Sequence, residues 1–250
     1  MPHCKKAMKQ LVIFSDLDGT LLDHDSYSWT AAKPALDRLK ALNIPVVFNT
    51  SKTLSEVLPL QLDMGLDHPF NTHYFHGHPY KAIRRILQQF RDQYDFRFKG
   101  FGDCSHREIA DFCGLSQEEA SQAADRKASE PLIWEDSDKM LEKFEKQLAK
   151  ESLHLTRGGR FYHVSGKGGK GSAAKKLFKH YLENFPGRKW LSVGLSDSFN
   201  DLPMLEVVDI PVLARSEKSQ QPATKHLSDI KYTQSVVHAL RQAQCERYGV

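Results

Sequence analysis

The sequence predicts an α/β protein: a doubly wound, Rossmann-like parallel sheet interrupted by an inserted α+β domain. Three observations predict this. Leu11-Val12-Ile13-Phe14 is a short, apolar, partly β-branched run bounded by turn residues, which suits a strand buried on both faces. Strand and helix patterns then alternate, as a parallel sheet with right-handed crossovers requires. A block of mixed strands and helices separates this opening from a later apolar strand, Leu191 to Leu195. The expected division is therefore 1–78 and 166–250 for the two parts of the core, and 79–165 for the insertion.

The elements follow in order. Ala31 to Leu42 carries Ala35, Leu36, Leu39 and Leu42 at helical spacing, with Pro34 near its start and Asn43 at its end. Ile44 to Phe48 reads as the second buried strand, and Leu54 to Leu62 as a helix. A polar stretch over 67–79 holds a short strand around His73-Tyr74-Phe75. Its histidines His68, His73, His76 and His78 have no Cys or carboxylate framework, so they read as surface and hinge residues rather than metal ligands.

In the insertion, Tyr80 to Phe90 places Ile83, Ile86, Leu87 and Phe90 on one helical face. Phe96 to Phe101 alternates as a half-buried strand. Ser105 to Cys113 and Ser116 to Ala124 read as helices, the second opening on a Ser116/Glu119 capping box. Leu132 to Trp134 is a strand and Ser137 to Lys150 a helix. Leu153 to Thr156 and Arg160 to Val164 form a hairpin turned at Gly158-Gly159. The core resumes with a glycine-rich loop, Gly166 to Gly171, and a helix over Ser172 to Tyr181. Strands near Leu191, Val207 to Ala214 and Asp229 to Tyr232 come next, and Ser235 to Glu246 reads as a terminal helix.

The totals narrow the class. The chain has 250 residues, ample for a sizeable core, and a net charge of only +4, too weak to argue for a nucleic-acid partner. No apolar run is long enough to span a bilayer. The four cysteines lie far apart without metal-type spacing and read as reduced thiols. The expected setting is the cytoplasm, with a small-molecule substrate, no nucleic acid and no membrane; the sequence leaves the oligomeric state open.

The chemistry gathers where strands end. Asp16 and Asp18 follow the first strand one residue apart, so both acids reach one side of its carboxyl end. Like charges this close need a partner, and a divalent cation with a taste for hard oxygens, Mg2+, supplies it. Thr50 and Ser51 follow the second strand at the same rim, where a hydroxyl either caps the next helix or binds a phosphate oxygen. Lys170 stands in the glycine-rich stretch, and Asp197 and Asp201 follow the later strand.

Asp16-Leu17-Asp18-Gly19-Thr20 resembles the first motif of the haloacid dehalogenase (HAD) superfamily. Thr50, with Ser51 close behind, resembles the second, Lys170 the third, and Gly194-Leu195-Ser196-Asp197-Ser198-Phe199-Asn200-Asp201 the fourth. The resemblance implies a HAD core with a C2-type cap. It implies Asp16 as nucleophile, Asp18 as acid and base, and Mg2+ held by Asp16, Asp197 and the Asp18 carbonyl. Thr50, Ser51 and Lys170 would hold phosphate, with Asn200 and Asp201 orienting what touches it.

Within the insertion, Arg126-Lys127-Ala128-Ser129-Glu130-Pro131 and Arg157-Gly158-Gly159-Arg160-Phe161-Tyr162-His163-Val164 resemble the mannosyl-3-phosphoglycerate phosphatase family. That similarity implies release of phosphate from mannosyl-3-phosphoglycerate to give mannosylglycerate, a compatible solute. Arg126, Arg157 and Arg160 offer forks for carboxylate or phosphate, while Ser129, Glu130 and His163 offer hydrogen bonds to sugar hydroxyls. One departure stands out: 70–78 lacks the acidic E-N-G-type stretch of the family. Glucosyl-3-phosphoglycerate or another sugar phosphate stays open as substrate. A phosphomutase and a non-catalytic phosphosugar-binding protein are the rivals of different class.

Overall fold

The structure, a computed structural model, describes residues 9–66, 78–157, 160–166, 169–198, 201–214 and 231–233. The expected strand at 73–75, the turn at Gly158-Gly159, Asn200 and the terminal helix lie outside them. The chain forms two compact units: Met1–Thr50, Gln61–Thr72 and Lys170–Val250, and Ser51–Leu60 with His73–Gly169.

The first unit is built on five parallel strands, β1 (Gln10–Ser15), β2 (Val46–Phe48), β7 (Trp190–Ser196), β8 (Ile210–Ala214) and β9 (Lys231–Thr233), in the order β2-β1-β7-β8-β9. Leu11, Val12, Ile13 and Phe14 are each at most 1% exposed, as a run covered on both faces must be. Each such side chain contributes roughly 1.5–3 kcal/mol by leaving water. Val12 and Phe14 pack with Ala174, Leu177 and Tyr181 of α7 (Gly169–Asn184) and with Met204 and Leu205 of α8 (Leu202–Leu205). α1 (Lys33–Ala41) begins with Pro34 in its first turn and is followed by Asn43 at φ 52°, the left-handed stop its sequence announced.

The second unit is a four-stranded antiparallel sheet in the order β3-β4-β6-β5, from β3 (Phe98–Gly100), β4 (Ser129–Trp134), β5 (Leu153–Arg157) and β6 (Tyr162–Gly166). Its core joins Ile83, Leu87 and Phe90 of α3 (Tyr80–Tyr94) to Phe144 and Leu148 of α6 (Asp138–Lys150) over Leu132 and Val164. α4 (His106–Cys113) and α5 (Gln117–Ala124) both open on reciprocal capping boxes, Ser105/Glu108 and Ser116/Glu119.

Two expectations need correction. The glycine-rich stretch is not a long loop: Gly166 ends β6, and α7 starts at Gly169, so Lys170 sits in the first helical turn. Gly171 is there for packing. A Cβ on it would lie 2.1 Å from the Pro203 carbonyl oxygen, so only glycine lets α7 approach the start of α8. The alternating run at Phe96 is also shorter than it reads. β3 stops at Gly100, and Phe101–Asp103 closes a single 3₁₀ turn.

Candidate active site

Parallel register brings the ends of three strands together in the first unit. Ser15 pairs with Phe48 on one side and Leu195 on the other. The Asp16 N–H donates to the Leu195 carbonyl (3.0 Å), and the Asn49 N–H donates to that of Ser15 (2.8 Å). Asp16 and Asp197 therefore leave neighbouring strands at the same edge, two lines of sequence that are 181 residues apart in number (197 − 16).

The Lys170 ammonium lies 2.8 Å from Asp16 Oδ1 and 2.7 Å from Asp201 Oδ1. The Asn49 side-chain amide donates to the Lys170 carbonyl (2.9 Å), which ties the start of α7 to the end of β2. Ser196 Oγ donates to Asp201 Oδ2 (2.8 Å) and accepts from the Ser198 N–H (3.0 Å). Leu17 N–H donates to Asp16 Oδ1 at 2.8 Å, and the Leu17 carbonyl accepts from Thr20, Leu21 and Leu22, closing the acidic turn into a compact loop.

Gly19 has a structural reason to be glycine. It sits at φ 71°, and a Cβ on it would fall 2.1 Å from Asp197 Oδ2. The Asp197 carboxylate thus lies against the backbone of the loop that carries Asp16 and Asp18. Only a residue without a side chain permits both the turn and that approach.

The charges do not balance. Among the described residues, three acids crowd here: Asp16 and Asp201 pair with the Lys170 ammonium, and Asp197 feels that ammonium and His24. Burial, then the negative charge of Asp16, pushes the Asp197 carboxyl up. The same two causes push Asp201 up to about 7, against the pull of Lys170. Burial alone would lower Lys170; Asp16 and Asp201 outweigh it and hold the ammonium above its usual range. The site is short of positive charge.

Among the described residues, no group of three or more His, Cys, Asp or Glu side chains could hold a metal by itself. A cation here must therefore take main-chain oxygen or water beside the carboxylates. That all-oxygen donor set fits a hard divalent ion.

Thr50 and Ser51 are not the cap of the helix that follows them. The cap of α2 (Leu54–Asp63) is Thr53, whose Oγ1 accepts from the Glu56 N–H (3.2 Å) while the Thr53 N–H donates to Glu56 Oε2 (2.7 Å). Capping thus does not account for Thr50 or Ser51. Sequence reasoning missed Asn49 and Ser196, the two groups that hold Lys170 and Asp201. Their only signal was adjacency, one residue before Thr50 and one before Asp197.

In the second unit the predicted cap residues separate. Strand pairing sets Ser129 opposite Ser165, and His163 between Pro131 and Thr156, on one face of the sheet. Glu130 and Arg157 alternate to the other face. Arg157 is exposed, with its guanidinium 5.7 Å from the centre of the Tyr162 ring. Arg160 donates to the Cys113 carbonyl (2.6 Å), and Arg126 to that of Ser51 (2.8 Å).

Glu130 is a correction. Its side chain is 0% exposed and both oxygens are taken inside the unit, so it does not offer itself to a sugar.

Residues 13–78 match the family described as haloacid dehalogenase-like hydrolase. A glucosyl-3-phosphoglycerate/mannosyl-3-phosphoglycerate phosphatase from Persephonella marina is 40% identical over 230 residues, 81% of this chain and 84% of its own. The chain belongs to this phosphatase family. A second member, from Methanococcoides burtonii, is 32% identical and covers 90% of this chain and 92% of its own.

The fold agrees. A solved HAD phosphatase from Bacteroides thetaiotaomicron, 18% identical, superposes with a TM-score of 0.64 over 100% of this chain and 98% of its own. The glucosyl-/mannosyl-3-phosphoglycerate phosphatase family is thus built here on the α/β sheet that its sequence predicts. Among the described residues, no helix is long and apolar enough to cross a membrane.

Proposed function

We propose that this chain is a Mg2+-dependent phosphatase of glycosyl-3-phosphoglycerates, acting through an aspartyl-phosphate at Asp16 in the cytoplasm. The observation that carries the reading is the cluster of Asp16, Asp197 and Asp201 around one lysine, at the joined ends of β1 and β7. The curated relatives are named for both the glucosyl and the mannosyl substrate, and this chain shares most of its length with them. Both substrates are kept, with mannosyl-3-phosphoglycerate the one the cap motifs favour. We keep the division at 78/79 and 165/166 as the boundaries of the cap.

The chemistry follows from the side chains. Asp16 attacks phosphorus; the bond to the leaving glyceryl oxygen breaks, and Asp18 protonates that oxygen. Water then attacks the same phosphorus, Asp18 takes its proton, and the bond to Asp16 breaks to release phosphate. Asp16, Asp197 and the Asp18 carbonyl would hold Mg2+, which supplies charge stabilisation to the transferring group when bound. Lys170, already 2.8 Å from Asp16, lies where it can neutralise a phosphoryl oxygen beside the nucleophile. Asp201 orients that ammonium, and Asn200 joins it in this role. Thr50 and Ser51 hold further phosphate oxygens. In the second unit Arg126, Arg157 and Arg160 read the glycerate carboxylate, with Ser129 and His163 toward the sugar.

The test is a phosphate-release screen across sugar phosphates that includes both glycosyl-3-phosphoglycerates, with and without Mg2+, on the wild type and Asp16→Asn. The reading expects Mg2+-dependent turnover of at least one glycosyl-3-phosphoglycerate, and its loss in the variant. Transfer of phosphate back to a second position of the sugar without its release would instead mark a phosphomutase.

A further inference from the structure

The second unit contains a polar network, anchored on the buried Glu130, that the proposed reaction does not use. Glu130 Oε1 accepts from Arg84 Nη1 (3.0 Å) and the Gly102 N–H (2.9 Å), and its Oε2 accepts from the Tyr80 hydroxyl (2.8 Å). Arg84 continues to Asp103, which Arg91 also meets, and Asp103 accepts from the Gly100 N–H (2.9 Å). Two carboxylates and two guanidiniums thus grip the 3₁₀ turn at both ends.

The turn is built around them. A Cβ on Gly100 would lie 2.2 Å from Glu130 Oε1, and one on Gly102 would lie 2.6 Å from both Arg84 Nε and the Tyr80 hydroxyl. The Gly-Phe-Gly run exists because the network passes on both sides of Phe101. What the grip fixes is the Phe101 ring, buried and edge-on to Phe161 at 5.1 Å. The Arg126 guanidinium stands 5.8 Å from the centre of that ring. Tyr80 adds a second tie, because its N–H donates to the Lys127 carbonyl (2.8 Å), one residue from Arg126.

We infer that Glu130 is a positioning residue: through Phe101 and Tyr80 it sets the Arg126 guanidinium that meets the substrate, and it never touches the sugar. This rests on the reading of Arg126 as a substrate contact. Glucosyl and mannosyl groups differ in the orientation of one ring hydroxyl. A residue that bonds that hydroxyl discriminates between them; one that positions an arginine for the shared glycerate does not.

Glu130→Gln keeps the volume and removes the charge. The expected result is a KM raised about tenfold for both glycosyl-3-phosphoglycerates, in equal ratio, with kcat within about twofold; a 1 Å misplacement at reacting atoms costs roughly 10²-fold, and this shift acts on binding alone. Turnover of p-nitrophenyl phosphate, which has no glycerate, stays at the wild-type level. In combination with Arg126→Lys the KM rises no further than with Arg126→Lys alone. Tyr80→Phe, which removes a single bond of the network, gives the same pattern at smaller size and serves if Glu130→Gln does not fold.

An unequal change for the two sugars would overturn the inference in favour of direct contact. Additivity with Arg126→Lys, or an unchanged KM beside a lowered Tm, would leave Glu130 a structural residue only and equally overturn it. Failure of the wild type to hydrolyse either glycosyl-3-phosphoglycerate, while it cleaves p-nitrophenyl phosphate, would instead sink the substrate reading beneath it.

Discussion

Each unit gathers acids around bases beside one buried carboxylate, Asp201 in the first and Glu130 in the second, and the two gatherings are built to opposite ends. In the second unit Glu130 and Asp103 face Arg84 and Arg91, two charges against two, with a hydroxyl and two backbone N–H groups filling the remaining lone pairs. Among the described residues of the first unit, Asp16 and Asp201 pair with Lys170, while Asp197 feels that ammonium and His24. A balanced, fully hydrogen-bonded cluster holds a backbone turn in place. An unbalanced one stores unmet demand for positive charge, which a metal ion can answer. Burial raises Glu130 as it raises Asp201, yet of these groups only Asp197 and Asp201 are pushed further by an acid neighbour as their next cause.

The sharpest way to break this contrast is to remove the single base from the unbalanced cluster. Lys170→Met should lower kcat by about 10²–10³-fold, the usual cost of one preorganised donor at a transferring group. It should also tighten Mg2+ binding measured by titration calorimetry, because an ammonium no longer competes for Asp16. Lost turnover with weakened Mg2+ binding would mean that the lysine supports the cation rather than the phosphate.

Next in size, Asp103→Asn should destabilise the protein by about 2–3 kcal/mol, a little under the usual cost of breaking a buried pair because these side chains are about a fifth exposed. Burial alone would raise the Asp103 carboxyl; the hydrogen bonds from Arg91 and Arg84 outweigh it and hold it well below the usual carboxylate range. A depressed acid contributes stability above its unfolded value, 3.8, and loses it as pH falls toward the folded one. Denaturant curves of wild type and variant should therefore differ at neutral pH and converge below about pH 4. Mg2+ affinity should not move; a change there would couple the two clusters.

Smallest, Gly171→Ala forces a Cβ onto the Pro203 carbonyl and should cost about 1–3 kcal/mol. At this chain length that lowers Tm by roughly 2–4 °C per kcal/mol. An unchanged Tm would mean that α7 and α8 separate easily and that the glycine serves the site directly.

The same contrast shows what the sequence made legible. Leu11 to Phe14 read correctly because a strand covered on both faces is apolar at every position, a pattern that needs no partner to interpret. Asp16, Lys170, Asp197 and Asp201 stand out through their turns and their resemblance to the superfamily motifs, and the structure brings Asp16, Lys170 and Asp201 within hydrogen-bond reach. Glu130 was misread because burial is set by strand parity. In this six-residue strand Leu132, Ile133 and Trp134 run consecutively, so no alternation marks which side faces in until β6 and α3 are in place. Gly171, Gly100 and Gly102 were opaque for a related reason. Glycine signals a loop when read along the chain, but here it marks close approach by Pro203, Glu130 and Arg84, contacts made across 30 to 32 residues where the partner is Glu130 or Pro203 (130 − 100 and 203 − 171).

The most direct test of the central claim is borohydride trapping during turnover. Reduction of an acyl phosphate converts the carboxylate that carries it into an alcohol, which peptide mass spectrometry locates. With p-nitrophenyl phosphate and Mg2+ present, the account predicts conversion of Asp16 to homoserine, absent without substrate and absent in Asp16→Asn. Phosphate release with Asp16 unreduced, or reduction at Asp197 or Asp201 instead, would contradict it.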